Sequence, residues 1–154
     1  MEPTTLQQLI EAGCVTGLRC GITIQTQPEW VVTGETRLSY TTLTRLVECC
    51  REYHWQTDIL NLSSVPLDST CKSLNAEFLQ PVPVTTRIAI QYKVKQVRKK
   101  GYELRFEIRS IDQQTLYAIF NMVSVFYNPE TNRAIIPPES VFGKLTELSR
   151  QVTN

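Results

Sequence analysis

Two runs of alternating residues, joined by a short basic turn, constrain this chain more than any other feature. In the first, Ile88, Ile90, Tyr92 and Val94 take every second position; in the second, Tyr102, Leu104, Phe106 and Ile108 alternate with Glu103, Arg105, Glu107 and Arg109. A period of two sends successive side chains to opposite faces of a strand, so the pattern predicts a hairpin with one face buried and the other wet. Lys99-Lys100-Gly101 supplies the turn. Such a hairpin needs an apolar layer over its buried face.

The same period continues on both sides of the hairpin. Upstream, Leu74, Ala76 and Phe78 alternate with Ser73, Asn75 and Glu77 until Pro81-Val82-Pro83 stops the strand. Downstream, Thr115 to Tyr127 is apolar at both parities, which predicts a central strand covered on both faces. Asn128-Pro129-Glu130 ends it, and Pro137-Pro138 leads into a final helix around Glu139 to Arg150.

The covering layer is predicted from Leu38 to about Tyr53. Leu43, Leu46, Val47 and Cys50 recur there at three- and four-residue spacing and share one face, with Ser39 placed to cap the helix and no Pro or Gly inside it. Nearer the N-terminus the pattern predicts a short helix over residues 4 to 12, with Leu6, Leu9 and Ile10 on one side. A strand near Arg19 to Gln25 follows Gly13; Gln27-Pro28 breaks it, and Trp30-Val31-Val32 resumes extended structure. One long helix followed by four consecutive strands predicts an α+β layer, the helix packed on an antiparallel sheet, in a single domain over residues 1–154. One helix covers little of such a sheet, so a homodimer is expected.

Composition narrows the functional classes. Sixteen Lys and Arg against fifteen Asp and Glu leave a formal charge of +1, so no global field attracts a phosphate backbone or an anionic membrane. MEPTTLQQLIEAG lacks the basic start and apolar run of a signal peptide, and no stretch approaches the roughly 18 apolar residues of a membrane span. These points predict a soluble, cytoplasmic protein with no nucleic-acid or membrane partner. The five cysteines have no paired metal spacing and read as reduced, mostly buried thiols. With His54 the only histidine, a two-His metal site is excluded.

The order and spacing of these segments resemble the hotdog-fold acyl thioesterases of the 4-hydroxybenzoyl-CoA thioesterase type, from about Arg19 to Pro138. The most specific phrase is LNAEFLQPVPVTTRIAIQYKVKQVRKKGYELRFEIRS, similar to the family's proline-ended strand, polar second strand and Gly-led third strand. LYAIFNMVSVFYNPETNRAIIPP resembles its closing strand, and Glu48-Cys49-Cys50-Arg51 looks like its mid-helix Glu-x-x-Arg. The resemblance implies a long central helix packed on a curled antiparallel sheet, and a homodimer or a dimer of dimers, with the two sheets of a dimer joined edge to edge. It also implies sites at the subunit interface near the helix starts, and a substrate that is an acyl thioester of coenzyme A or of an acyl carrier protein. No metal or redox cofactor is implied.

One departure from the family stands out. Many members carry an Asp in the loop before the helix, and counting back without gaps from Glu48 and Arg51 places Thr33 there, whereas a two-residue gap places Glu35 there. Members acting on polyketide-derived carrier thioesters also lack the acid and are thought to use an oxyanion-stabilising environment with a helix Arg, which Arg51 matches.

The candidate catalytic residues are therefore Glu48, Arg51, Glu35 and Thr33: the first two to polarise the thioester carbonyl with backbone N–H groups around Thr36 to Tyr40, the last two to position water. Tyr40, Thr36, Thr44 and Asn75 are candidate substrate contacts, Tyr40 through its hydroxyl and Asn75 toward the partner's site. Thr44, Glu48 and Arg51 fall together beside the apolar stripe of the helix; Glu48 and Arg51 also make an ordinary i,i+3 ion pair. Lys93, Lys95, Arg98, Lys99 and Lys100 form a basic cluster suited either to solvation of an edge or to phosphates and acidic carriers. The leading reading is an acyl thioester hydrolase. The alternative is a non-catalytic acyl-thioester-binding protein, a sensor or accessory subunit.

Overall fold

The computed structural model describes residues 5–31 and 34–151. The chain divides into two compact units, one of Met1–His54, Glu77–Tyr92 and Phe106–Ile119, the other of Trp55–Ala76, Lys93–Arg105 and Phe120–Asn154. Among the described residues there are three α-helices, α1 (Leu6–Glu11), α2 (Tyr40–His54) and α3 (Glu139–Ser149), and seven strands. The strands are β1 (Val15–Leu18), β2 (Gly21–Gln25), β3 (Asp68–Phe78), β4 (Arg87–Arg98), β5 (Gly101–Ser110), β6 (Leu116–Asn128) and β7 (Arg133–Ala134). They form one sheet in the order β1-β2-β4-β5-β6-β3, with β7 paired to β6.

In the first unit, Thr5 caps α1 by accepting the Gln8 N–H at 3.1 Å, and the Leu6 N–H is further met by the Glu52 carboxylate of α2 at 3.4 Å. The single strand expected near Arg19 to Gln25 is instead a hairpin. Val15 pairs with Ile24 and Leu18 with Gly21, and Cys20 turns the chain at a φ of 55°. After Gln25 extended backbone resumes not at Trp30, the expected residue, but at Val31, with φ −111° and ψ 156°. Pro28–Trp30 is a single 3-10 turn that buries the indole, because proline at its start fixes φ for a turn and removes a ladder donor. Val32 lies outside the described residues.

α2 begins at Tyr40, two residues later than expected, and buries the predicted stripe of Leu43, Leu46, Val47 and Cys50. It packs on β2 and the first half of β4, with the Cys50 thiol donating to the Ile90 carbonyl at 3.6 Å. Ile22, Ile24, Ile88 and Ile90 are all fully buried, each contributing about 1.5–3 kcal/mol. The chain continues past His54 as one π-helical turn, Trp55–Ile59, and one 3-10 turn, Leu60–Leu62.

The hairpin of β4 and β5 follows the sequence pattern residue for residue. Ile88, Ile90, Tyr92 and Val94 are buried on β4, and Tyr102, Leu104, Phe106 and Ile108 on β5. In the second unit, Tyr102 stacks on Phe126 at 5.4 Å, and Trp55 meets the same ring at 6.2 Å.

Two expectations about the neighbouring strands are corrected. β6 was expected to be covered on both faces. Ala118, Phe120, Met122, Ser124 and Phe126 are buried, but Tyr117, Ile119, Val123 and Val125 are only partly so. β3 starts five residues before Ser73, and from Thr70 onward it is exposed at both parities. It stands at one end of the sheet order, and among the described residues neither of its faces is covered from Thr70 onward.

Candidate functional site

The start of α2 is fixed from both sides. On the incoming side, the Thr36 carbonyl accepts the Val84 N–H at 3.4 Å, Arg37 bridges to Pro83, and the Leu38 N–H donates to the Val82 carbonyl at 2.9 Å. Leu38 and Val82 are buried, which anchors this crossing. On the helix side, Ser39 Oγ accepts the Thr42 N–H at 3.1 Å and donates to Thr42 Oγ1 at 3.0 Å, as expected of a cap. The first N–H groups of a helix have no intrahelical acceptor, and those of Tyr40 and Thr41 stand at the positive end of the α2 dipole. The Leu38 N–H, in contrast, is used within the chain and is not a free donor.

Beside this helix start lies a cleft of about 140 Å³, lined among the described residues by Glu35, Arg37, Ser39 and Tyr40. Tyr40 is 52% exposed. Its ring stacks on Phe78 with centroids 4.2 Å apart and planes at 30°, and the Arg37 guanidinium lies over it at 5.2 Å. Glu35 stands 3.9 Å from Arg37 Nε, a loose and exposed ion pair. A carboxylate, a guanidinium, a hydroxyl and a phenol thus line one small volume beside the first turn of α2.

The remaining candidates sort by position along α2. Thr44 Oγ1 donates to the Tyr40 carbonyl at 2.8 Å, so its proton is engaged with the helix backbone. Arg51 grips Glu48 with two nitrogens, Nε to both carboxylate oxygens at 3.0 and 3.2 Å and Nη2 to one at 3.1 Å. The side chains of Arg51 and Glu48 are 21% and 43% exposed. A rise of 1.5 Å per residue puts Glu48 roughly 12 Å and Arg51 roughly 16 Å beyond Tyr40 along the helix axis. Within one chain, then, Glu35, Thr36 and Tyr40 gather at the helix start, and Glu48 and Arg51 do not join them. Asn75 is exposed on β3. Thr33 lies outside the described residues.

The thiols and the imidazole are placed for packing. Cys49 and Cys50 are buried; burial, with the Glu52 and Glu48 carboxylates nearby, pushes the Cys49 thiol up to about 12, and burial raises Cys50 as well. Neither supplies a thiolate near neutral pH. His54 is fully buried against Tyr92, ring centroids 4.6 Å apart, at the far end of α2 from the cleft. Sequence reasoning missed Arg37 and Phe78 as parts of the site. The i,i+3 spacing of Arg37 and Tyr40 was a visible signal for the first; the second depends on the fold bringing the end of β3 to the start of α2.

No family model matches the chain, and no curated protein is similar to it in sequence. Among solved structures, it is similar to a Staphylococcus aureus protein in complex with CoA, with a TM-score of 0.76 and 11% identity over 90% of this chain and 92% of that one. A 1,4-dihydroxy-2-naphthoyl-CoA thioesterase from Synechocystis matches with a TM-score of 0.69 and 13% identity over 84% of this chain and 96% of that one. The dynemicin thioesterase, described with bound polyene, matches at 0.71 and 9% identity over 84% and 96%. The chain has the hotdog fold.

Among the described residues, no helix is long and apolar enough to cross a membrane.

Proposed function

We propose that the chain is a single hotdog domain that hydrolyses an acyl thioester of coenzyme A or of an acyl carrier protein, releasing a carboxylic acid and a thiol. The observation that carries this reading is the cleft at the start of α2, where Glu35 faces the helix end that presents the Tyr40 and Thr41 N–H groups. The thioester carbonyl oxygen accepts from those N–H groups, which stabilise the negative charge that develops on it. Glu35 takes a proton from water, the water oxygen bonds to the carbonyl carbon, the C–S bond breaks, and the thiolate leaves with the proton that Glu35 carries. The phenol of Tyr40 lines the approach.

The ion pair of Glu48 and Arg51 then serves the pantetheine arm or the site of a second subunit, since it lies two to three turns along the helix. Edge-to-edge pairing of two sheets supplies that second subunit, with the partner's copy of residue 75 reaching toward the cleft. The exposed basic side chains Lys95, Arg98, Lys99 and Lys100 suit an acidic carrier or the phosphates of coenzyme A. Structural similarity to a 1,4-dihydroxy-2-naphthoyl-CoA thioesterase and to the dynemicin thioesterase supports this class of substrate.

A panel of acyl-CoA and acyl-carrier thioesters, assayed by thiol release, tests the reading. Turnover on at least one is expected, with Glu35→Gln lowering kcat about 10²- to 10⁴-fold and Arg51→Ala lowering kcat/KM by about tenfold through the arm. Absence of turnover across the panel would reject hydrolysis. One observation favours the alternative in that event: Glu35 is exposed and drawn toward Arg37, not buried as a general base often is. A non-catalytic acyl-thioester-binding protein would hold an acyl thioester intact over hours in native mass spectrometry.

A further inference from the structure

Arg37 has a geometry that hydrolysis of a neutral acyl group does not require. Its backbone is pinned by the bridge to Pro83, and its guanidinium lies 5.2 Å over the Tyr40 ring, itself backed by Phe78 at 4.2 Å. Among the described residues it makes no hydrogen bond, and its one ion pair is the 3.9 Å approach of Glu35. A planar guanidinium held on an aromatic face keeps its edge donors directed outward, a favourable arrangement for two parallel bonds to a carboxylate. Arg37 lines the same cleft as Ser39 and Tyr40.

We propose that Arg37 is a specificity-determining residue that selects short acyl groups ending in a carboxylate. The inference rests on the thioester carbonyl sitting at the start of α2, as in the function proposed above. Two observations fix the substrate class. First, a volume of about 140 Å³ is close to that of a cavity that holds one benzene ring, so an acyl group of about six non-hydrogen atoms fills it. Second, Arg37 and the helix start share this one volume, so the anion it meets is only a few bonds from the carbonyl. The phosphate of a pantetheine arm is more than ten bonds away from the thioester sulfur. An acyl carboxylate replaces Glu35 against Arg37, which leaves Glu35 free to face the water.

The test compares succinyl-CoA with butyryl-CoA, matched in length and different in charge, and repeats both as the pantetheine thioesters, which lack phosphate. The wild-type protein is expected to favour succinyl over butyryl by about ten- to hundredfold in kcat/KM on either carrier. Arg37→Gln is expected to abolish the preference by losing the succinyl substrates alone, and Arg37→Lys to retain part of it. Equal rates for the two acyl groups in the wild type, or an equal loss on both in Arg37→Gln, would overturn the proposal. A loss that follows the phosphate and not the acyl carboxylate would overturn it too, in favour of a carrier contact. If no thioester turns over, the unreactive thioethers S-(3-carboxypropyl)-CoA and S-butyl-CoA give the same comparison by calorimetry. Tighter binding of the carboxylate, lost in Arg37→Gln, then supports the specificity although hydrolysis has failed; equal or absent binding overturns it.

Discussion

Cys49 and Cys50 lie side by side in α2, and the packing that hides them also decides their chemistry. An unfolded thiol titrates near about 8.5, whereas the folded Cys49 thiol is pushed up to about 12. Between those values the unfolded state holds fewer protons than the folded one, so stability falls as pH rises. The stabilising contribution is complete below the unfolded value and is lost progressively toward the folded one. The melting temperature is therefore expected to drop between pH 8 and pH 10.5 more steeply in the wild type than in Cys49→Ala/Cys50→Ala, although the double variant starts lower. Parallel curves would show that other groups cause the loss. Alkylation at pH 8 gives the complementary reading: Cys71, exposed on β3, is modified, and Cys49 and Cys50 are protected until the protein unfolds. At this scale the sequence was informative about burial. Adjacent cysteines on a helix whose apolar stripe includes Cys50 already pointed to packing. It was less informative about Arg37, because its role depends on a ring stack whose third member, Phe78, is contributed by a strand 41 positions along the numbering.

Among the elements, α2 and the hairpin of β4 and β5 were the most legible, since each is amphipathic with a strict period and the fold buries the face that the period selects. Ser39 was legible for the same local reason: a cap acts within three residues of itself. Ser39→Ala is expected to destabilise the protein by about 1 kcal/mol, with Ser39→Asp close to wild type, read from urea midpoints at constant m. Gly101 was read from the pattern as part of the turn. The turn is Lys99-Lys100, and Gly101 is the first residue of β5, where an added Cβ would strike the Ser124 carbonyl oxygen. Backbone cannot yield as a flexible side chain can. Gly101→Ala is thus expected to cost about 1–3 kcal/mol or more, whereas Gly143→Ala, whose Cβ meets nothing within 4 Å, gains about 0.5–1 kcal/mol from helix propensity. Equal midpoints for the two variants would contradict the close approach at Ser124. The first hairpin was harder to read, because β1 and β2 are four and five residues long and the turn at Cys20 has no glycine at its positive φ.

For the whole molecule, the strand that sequence pattern described least well is the one with most to say about assembly. β3 alternates like its neighbours, yet from Thr70 onward every residue is exposed, including Leu74 at 41% and Phe78 at 37%. It stands at the end of the sheet order, so among the described residues one side of its backbone has no partner strand. Alternation in sequence cannot distinguish a strand buried by its own chain from one that awaits another copy, since both need apolar residues at every second position. An eleven-residue open edge with exposed leucine and phenylalanine is an unstable arrangement for a lone monomer, and two-fold pairing of identical edges satisfies the free N–H and C=O groups of both. Sedimentation is accordingly expected to give a particle of twice the 17.6 kDa chain mass. Lysines at exposed positions of such an edge oppose their own copies across the two-fold and repel. Leu74→Lys/Ala76→Lys is expected to sediment as a monomer with unchanged far-ultraviolet circular dichroism. If the dimer is also what completes the site, that variant loses thioester turnover with its residues Glu35 and Arg37 intact. A wild-type monomer would refute the pairing, and a fully active monomeric variant would leave the cleft at α2 sufficient by itself.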